Sequence, residues 1–131
     1  FIHELKERNI PIYLLSNASN LFAEYYEGSE LLSHFDGILF SGPIRLAKPS
    51  PEIYSHFLRK FDLKAEECFF IDDLEPNINA AKEAGMGGLV FTGDINEVKK
   101  QLVSDPIAFS IAPAFILYRL NALNSLCASR F

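Results

Sequence analysis

Apolar and polar positions along residues 1–103 form short blocks whose spacing predicts strands and helices in alternation. Apolar runs typical of buried strands occupy residues 12–15, 35–40, 68–71 and 88–91. Helical spacing marks residues 21–26, 51–61, 76–84 and 95–103, and the chain opens with the end of another amphipathic helix. Strands that alternate with helices are typical of a parallel sheet with right-handed crossovers. The expected fold class is therefore α/β, a Rossmann-like parallel sheet with flanking helices.

The strand at residues 68–71 ends on two adjacent acids, Asp72 and Asp73, which precede a turn and a helix start. Ligands of open α/β sheets bind at this carboxyl edge, and two neighbouring carboxylates repel each other unless a cation or several donors neutralise them. Oxygen ligands of this kind favour Mg²⁺, which often shares its site with a phosphate. Asp is also an ordinary turn and helix-cap residue, so a purely structural role for Asp73 beside Pro76 stays open.

Polar side chains also follow the other predicted strands. Ser16 and Asn17 come after the first strand, Ser41 after the second, and residues 92–94 after the last. In a parallel sheet these loops open on one edge, and Lys48 joins them if its loop reaches that far. A hydroxyl and amides can donate to phosphoryl oxygens while an ammonium and a metal balance their charge. Ser16 and Lys48 are each compatible with ordinary loop roles when taken alone.

The composition of the chain excludes some classes of function but does not identify one. The chain has 131 residues, of which 49% are hydrophobic, enough for one domain with a core. The net charge of −5, without a basic stripe, argues against nucleic acid as a partner. No signal peptide or spanning helix is visible, and two cysteines without a disulfide pattern indicate a cytoplasmic protein. Because the chain starts at Phe1 and its one methionine is Met86, we expect it to begin inside a longer protein.

The segments LLSN, AKPSPEIY and FFIDDLEPNINAAKEAGM, in this order, resemble motifs II, III and IV of the haloacid dehalogenase-like (HAD) hydrolase superfamily. The resemblance is to the branch that holds sugar-phosphate phosphatases and the phosphatase domain of soluble epoxide hydrolases, and it covers residues 1–103. It implies that Ser16 binds the phosphoryl group together with the Asn17 backbone. It also implies that Lys48 steadies both the phosphoryl charge and the nucleophile, as a catalytic residue.

The resemblance further implies a Mg²⁺ cofactor. Asp73 would be its direct ligand, Asp72 would act through a coordinated water or as a second ligand, and Asn77 would support the metal shell. Family members carry an Asp-x-Asp motif on their first strand, and its first acid attacks phosphorus. No Asp-x-Asp occurs in this sequence, so the covalent aspartyl-phosphate route is closed to the chain by itself.

We therefore expect residues 1–103 to form a HAD-like core that lacks the first strand and the cap, with 104–131 as an apolar tail. The missing strand is central in the family's sheet, and its loss would expose unpaired backbone. We expect an upstream segment of the same polypeptide, or else a partner chain, to occupy the position of the missing strand. The tail is another candidate for this position, because its sequence IAFSIA suits a strand.

The expected function is the C-terminal part of a Mg²⁺-dependent phosphatase that acts on a small phosphorylated metabolite. A catalytically inactive fragment, or a module that binds phosphate or metal, is the alternative. A phosphoacceptor receiver domain also combines acids, a hydroxyl and a lysine, but there the acids come first. The three histidines share no metal-binding spacing, and Tyr25 and Tyr26 are expected to pack.

Overall fold

The computed structural model describes residues 1–104 and 114–117. Its strands in chain order are β1 (Ile12–Ser16), β2 (Gly37–Phe40), β3 (Cys68–Asp72), β4 (Gly87–Val90) and β5 (Ala114–Leu117). Its helices are α1 (Ile2–Glu7), α2 (Asn20–Tyr26), α3 (Ser41–Ile44), α4 (Pro51–Lys60), α5 (Glu75–Glu83) and α6 (Ile95–Ser104). Two 3₁₀ turns, Glu30–His34 and Ala65–Glu67, lead into β2 and β3. Each predicted strand and helix is present, with ends that differ by one or two residues.

The five strands form one parallel sheet in the order β2-β1-β5-β3-β4. Helices connect successive strands, as parallel pairing requires. The fold-class prediction, a Rossmann-like parallel sheet with flanking helices, is therefore confirmed. In the part of the chain that the structure describes, no helix is both long enough and apolar enough to span a membrane.

The centre of the sheet is filled by β5, the last strand in sequence. Tyr13 of β1 and Phe70 of β3 both pair with Ile116, so this strand has a parallel neighbour on each side. The sequence analysis finds no strand within residues 1–103 for this central position. It names the C-terminal tail as one of the segments that could occupy it. Residues 114–117 take that place, whereas residues 105–113 and 118–131 lie outside the described part.

A continuous apolar core surrounds the central strands. All five residues of β3 are buried, because a central parallel strand is covered by helices on both faces. Helix α4 supplies one buried face, made of Ile53, Tyr54 and Phe57, at the spacing of successive helical turns. The prediction that Tyr25 packs is wrong: this residue is 81% exposed, whereas Tyr26 is partly buried against the core.

Candidate active site

Lys48 and Asp72 form a buried ion pair at the carboxyl edge of the sheet. The Lys48 Nζ lies 2.7 Å from Asp72 Oδ2, and the exposed fractions of the two side chains are 3% and 0%. The Lys48 loop follows β2 and α3, whereas Asp72 ends β3, so the two residues come from distant parts of the chain. A buried charge is tolerated only when it is paired and hydrogen-bonded, and this pair meets that condition.

Three further hydrogen bonds hold the Asp72 carboxylate. Oδ1 accepts the backbone N–H of Leu74 at 2.9 Å, and the amide Nδ2 of Asn77 lies 3.0 Å from each carboxylate oxygen. The acceptor positions of Asp72 are thus directed to Lys48, to the start of α5 and to Asn77. Because donors and a cation already surround it, Asp72 is better suited to orient Lys48 than to bind a metal directly.

The position of Lys48 is fixed at both ends of the residue. Its ammonium donates to the carbonyl oxygen of Leu15 at 2.9 Å and lies 5.3 Å from the centroid of the Phe70 ring. Its backbone N–H donates to Asn17 Oδ1 at 2.9 Å, and its carbonyl accepts from Asn17 Nδ2 at 3.0 Å. The Asn17 side chain therefore ties the Lys48 backbone to the loop after β1.

These contacts place the Lys48 ammonium across the carboxyl end of the central strand. Leu14 of β1 and Ile71 of β3 both register with Leu117, the last residue of β5. Leu15 and Asp72, which bind the ammonium, are the next residues along β1 and β3. A ligand that binds where the central strand ends would therefore lie near this positive charge.

The loop after β1 is anchored by Ser41, which the sequence placed at this edge but did not include among the site residues. Its Oγ accepts the N–H of Ala18 at 3.0 Å and donates to the Ala18 carbonyl at 3.3 Å. Gly42 packs against the same loop, where an added Cβ would lie 2.7 Å from the Ala18 oxygen. Ser16, at the end of β1, is 4% exposed, whereas Asn17 is exposed.

Tyr54 supports the site from the core, and sequence patterns gave no signal for this role. Its hydroxyl donates to the Asn77 carbonyl at 2.9 Å, and the residue is fully buried. Burial, with a smaller contribution from the nearby Asp72 charge, raises the pKa of Tyr54. Tyr54 therefore stays neutral and holds the α5 residue whose amide contacts Asp72.

Asp73 follows the ion pair directly and is only partly buried. Among the described residues, no three His, Cys, Asp or Glu side chains are grouped as a complete metal cage. Mg²⁺ does not need one, because it usually keeps several waters and uses one or two carboxylates with substrate phosphate. A partly buried aspartate next to one that is ion-paired fits this ion. Asp73 is the residue that would hold it, with Asp72 behind it.

The structure thus brings Lys48, Asp72 and Asn77 into direct contact and attaches Asn17 to Lys48. Ser16 and Asp73 lie at the ends of the strands that flank β5. Their roles in phosphate and metal binding stay predictions. The polar residues after β4 serve their own helix instead: Thr92 contacts Glu97, and Asp94 Oδ1 accepts the Asn96 N–H at 2.8 Å.

The parallel α/β sheet and the lysine–aspartate pair at its carboxyl edge agree with the fold and the site that the motifs predict. The family model described as haloacid dehalogenase-like hydrolase matches residues 1–85. The chain belongs to this family, which confirms the resemblance found in its motifs.

Several of the similar proteins are named as phosphatases. The sesquiterpene phosphatase of Aspergillus oryzae is 34% identical over 95 residues, which are 72% of this chain and 48% of the relative. An enolase-phosphatase of Persephonella marina is 35% identical over 89 residues, 65% of this chain and 38% of the relative. The chain therefore spans less than half the length of each of these relatives.

Solved structures agree in fold. A HAD family enzyme from Bacteroides thetaiotaomicron, in complex with magnesium and inorganic phosphate, superimposes with a TM-score of 0.65 at 25% identity. The match covers 74% of this chain and 53% of the enzyme. A HAD-like family hydrolase from Porphyromonas gingivalis gives a TM-score of 0.66 at 25% identity, over 77% of this chain and 54% of that one.

Proposed function

We propose that this chain supplies the phosphate- and magnesium-binding part of a phosphatase that acts on a small phosphorylated metabolite. The observation that carries the proposal is the buried Lys48–Asp72 pair at 2.7 Å, with Asp73 beside it at the same edge. The phosphatase names of the relatives support it. So does the magnesium and phosphate complex of the Bacteroides enzyme.

Each residue has a part in binding. The Ser16 hydroxyl and the backbone amides of the loop after β1 donate to phosphoryl oxygens. Lys48 presents its ammonium to the same oxygens while Asp72 and the Leu15 carbonyl hold it in place. Asp73 holds Mg²⁺, which when bound supplies positive charge to the phosphoryl group. Asn77 keeps Asp72 oriented through its amide.

The attacking group must come from outside this sequence. No Asp-x-Asp occurs in it, and the residues that follow the central strand, 118–131, contain neither Asp nor Glu. We propose that an upstream segment of the polypeptide, or a partner chain, provides the nucleophile in the complete enzyme, either by taking the central position that β5 occupies here or by reaching the carboxyl end of β5. By itself the chain is expected to bind phosphate without hydrolysing its esters. We also propose a reducing, cytoplasmic location, because Cys68 is a buried free thiol.

The absence of an attacking carboxylate also favours a second candidate, an inactive module that binds phosphate and metal. Both candidates require the same binding site, and they differ in whether a nucleophile is ever supplied. Phosphatase activity in a longer form of the protein that carries Asp-x-Asp would favour the first. Binding without turnover in every natural form would favour the second.

Phosphate binding in the presence and absence of Mg²⁺, followed by ³¹P NMR or calorimetry, tests the site. Asp73→Asn should abolish the magnesium dependence because it removes the charged ligand. Asp94→Asn is the matched control, since this exposed acid follows β4 at the same edge and asparagine can keep its capping contact. Equal magnesium dependence in the parent protein and in Asp73→Asn would refute the metal site.

A further inference from the structure

The loop after β1 and the loop that carries Lys48 are joined by hydrogen bonds between side chains and backbone. Asn17 Oδ1 accepts the Lys48 N–H at 2.9 Å, and Asn17 Nδ2 donates to the Lys48 carbonyl at 3.0 Å. Next to this contact, Ser41 Oγ accepts the Ala18 N–H at 3.0 Å, and the Gly42 N–H donates to the Ala18 carbonyl at 2.9 Å. The two loops are therefore connected at two successive residues of the first loop.

The Lys48 backbone lies outside the regular secondary structure. Its residue falls between α3 and α4, so no helix or strand ladder fixes its N–H and its carbonyl. Buried or partly buried backbone groups need other partners in such a place, and the Asn17 amide supplies both. The Lys48 ammonium is bound separately, by Asp72 and by the Leu15 carbonyl. Because a lysine side chain is long and flexible, a fixed backbone is needed to bring its ammonium to one position.

An ordinary loop role does not account for the Asn17 contacts. Asparagine in a turn commonly binds backbone groups two to four residues away. Asn17 instead binds a residue 31 positions further along the chain, and it binds both the N–H and the carbonyl of that residue. The contact therefore joins the two loops that are expected to meet a phosphoryl group, and it does not shape the turn that contains Asn17.

We propose that Asn17 is a positioning residue for phosphate binding, because its side-chain amide holds the Lys48 backbone where the ammonium can meet the phosphoryl group. This inference rests on the proposed function. It adds to the role that the motif implies, in which the backbone of Asn17 binds the phosphoryl group. Without these two hydrogen bonds the Lys48 loop occupies its binding position for only part of the time, and the phosphate affinity falls by that fraction.

Binding of inorganic phosphate to the Asn17→Ala variant, measured by calorimetry in the presence of Mg²⁺, tests this role. The affinity should fall on the order of fivefold, while circular dichroism shows that the variant is fully folded at the assay temperature. The Lys48 N–H should exchange faster with solvent in NMR hydrogen-exchange measurements, because its acceptor is gone. Asn20→Ala is the matched control and should bind phosphate like the parent protein. Asn20 begins α2, and among the described residues its side chain makes no hydrogen bond to Lys48.

A second background separates positioning from direct contact with phosphate. In a protein that carries Lys48→Met together with Asp72→Asn, no ammonium remains for Asn17 to position. Adding Asn17→Ala to that protein should therefore leave its phosphate affinity unchanged. A further loss as large as the loss in the parent protein would show that the Asn17 side chain binds phosphate directly, and it would overturn the inference.

The outcomes also separate this inference from the proposed function. If the parent protein does not bind inorganic phosphate, the proposed function is wrong and the inference fails with it. If the parent protein binds phosphate and folded Asn17→Ala binds it equally well, only the inference is overturned, because the two hydrogen bonds then serve the fold alone. An equal loss of affinity in Asn20→Ala would also overturn it, since the effect would not depend on the contact with Lys48.

Discussion

Replacing Lys48 by methionine should destabilise the protein strongly, because it leaves the Asp72 carboxylate buried without its cation. Methionine keeps the length and most of the volume of the lysine stem, so the loss is mainly electrostatic. Asp72 is 0% exposed and would keep only the contacts from Leu74 and Asn77. Removing one partner of a buried pair costs about 3–5 kcal/mol. This is a large share of the roughly 5–15 kcal/mol that stabilises a domain.

Asp72→Asn should cost a similar amount, because the neutral amide no longer balances the buried Lys48 charge and its NH₂ group must face another donor, either the Lys48 ammonium or the Leu74 N–H. The double variant, Lys48→Met with Asp72→Asn, removes both charges together. Its destabilisation should be clearly less than the sum of the two single changes, because no uncompensated charge remains.

Urea unfolding followed by far-ultraviolet circular dichroism measures the free energy of unfolding of each variant. If a single variant is already unfolded in buffer, the same concentration of an osmolyte can be added to all samples. Lys64 and Glu67 provide the control, since their surface pair at 3.5 Å should show coupling below about 0.5 kcal/mol. Additivity of Lys48→Met and Asp72→Asn to within about 0.5 kcal/mol would refute the reasoning.

Two further predictions concern the sheet. Burial raises the pKa of the Cys68 thiol from 9.0 to about 12. The unfolded thiol loses its proton first as the pH rises between these values, so the free energy of unfolding should fall there by up to about 1.4 kcal/mol per pH unit. Urea unfolding measured at several pH values in this range should show that the Cys68→Val variant lacks this decrease in the free energy of unfolding. The same pH dependence in the variant and in the parent protein would contradict the raised pKa of Cys68. Ile116→Pro should greatly lower the melting temperature, because proline cannot donate within a strand paired on both sides. Ile116→Val keeps the amide and should melt close to the parent, and equal melting of both variants would argue against the central position of β5.

The sequence by itself determined the elements and the chemistry at their ends. Helical and strand periodicity is a local property, so the run at residues 68–71 predicted β3, and the acids after it marked a ligand-binding edge. The order of the three motifs was enough to identify the family. These features depend on neighbouring residues along the chain, which is the information that a sequence presents directly.

Tertiary structure decided which distant residues meet. The sequence of a four-residue apolar strand does not indicate which strands it pairs with. Only the folded sheet places β5 between β1 and β3. The 2.7 Å contact of Lys48 with Asp72 depends on the path of a loop. So do the two hydrogen bonds between the Asn17 side chain and the Lys48 backbone. The Tyr54 hydroxyl likewise found its acceptor through helix packing. Such contacts follow from long-range packing, because their geometry is set by the whole sheet and its helices and not by the residues adjacent in sequence.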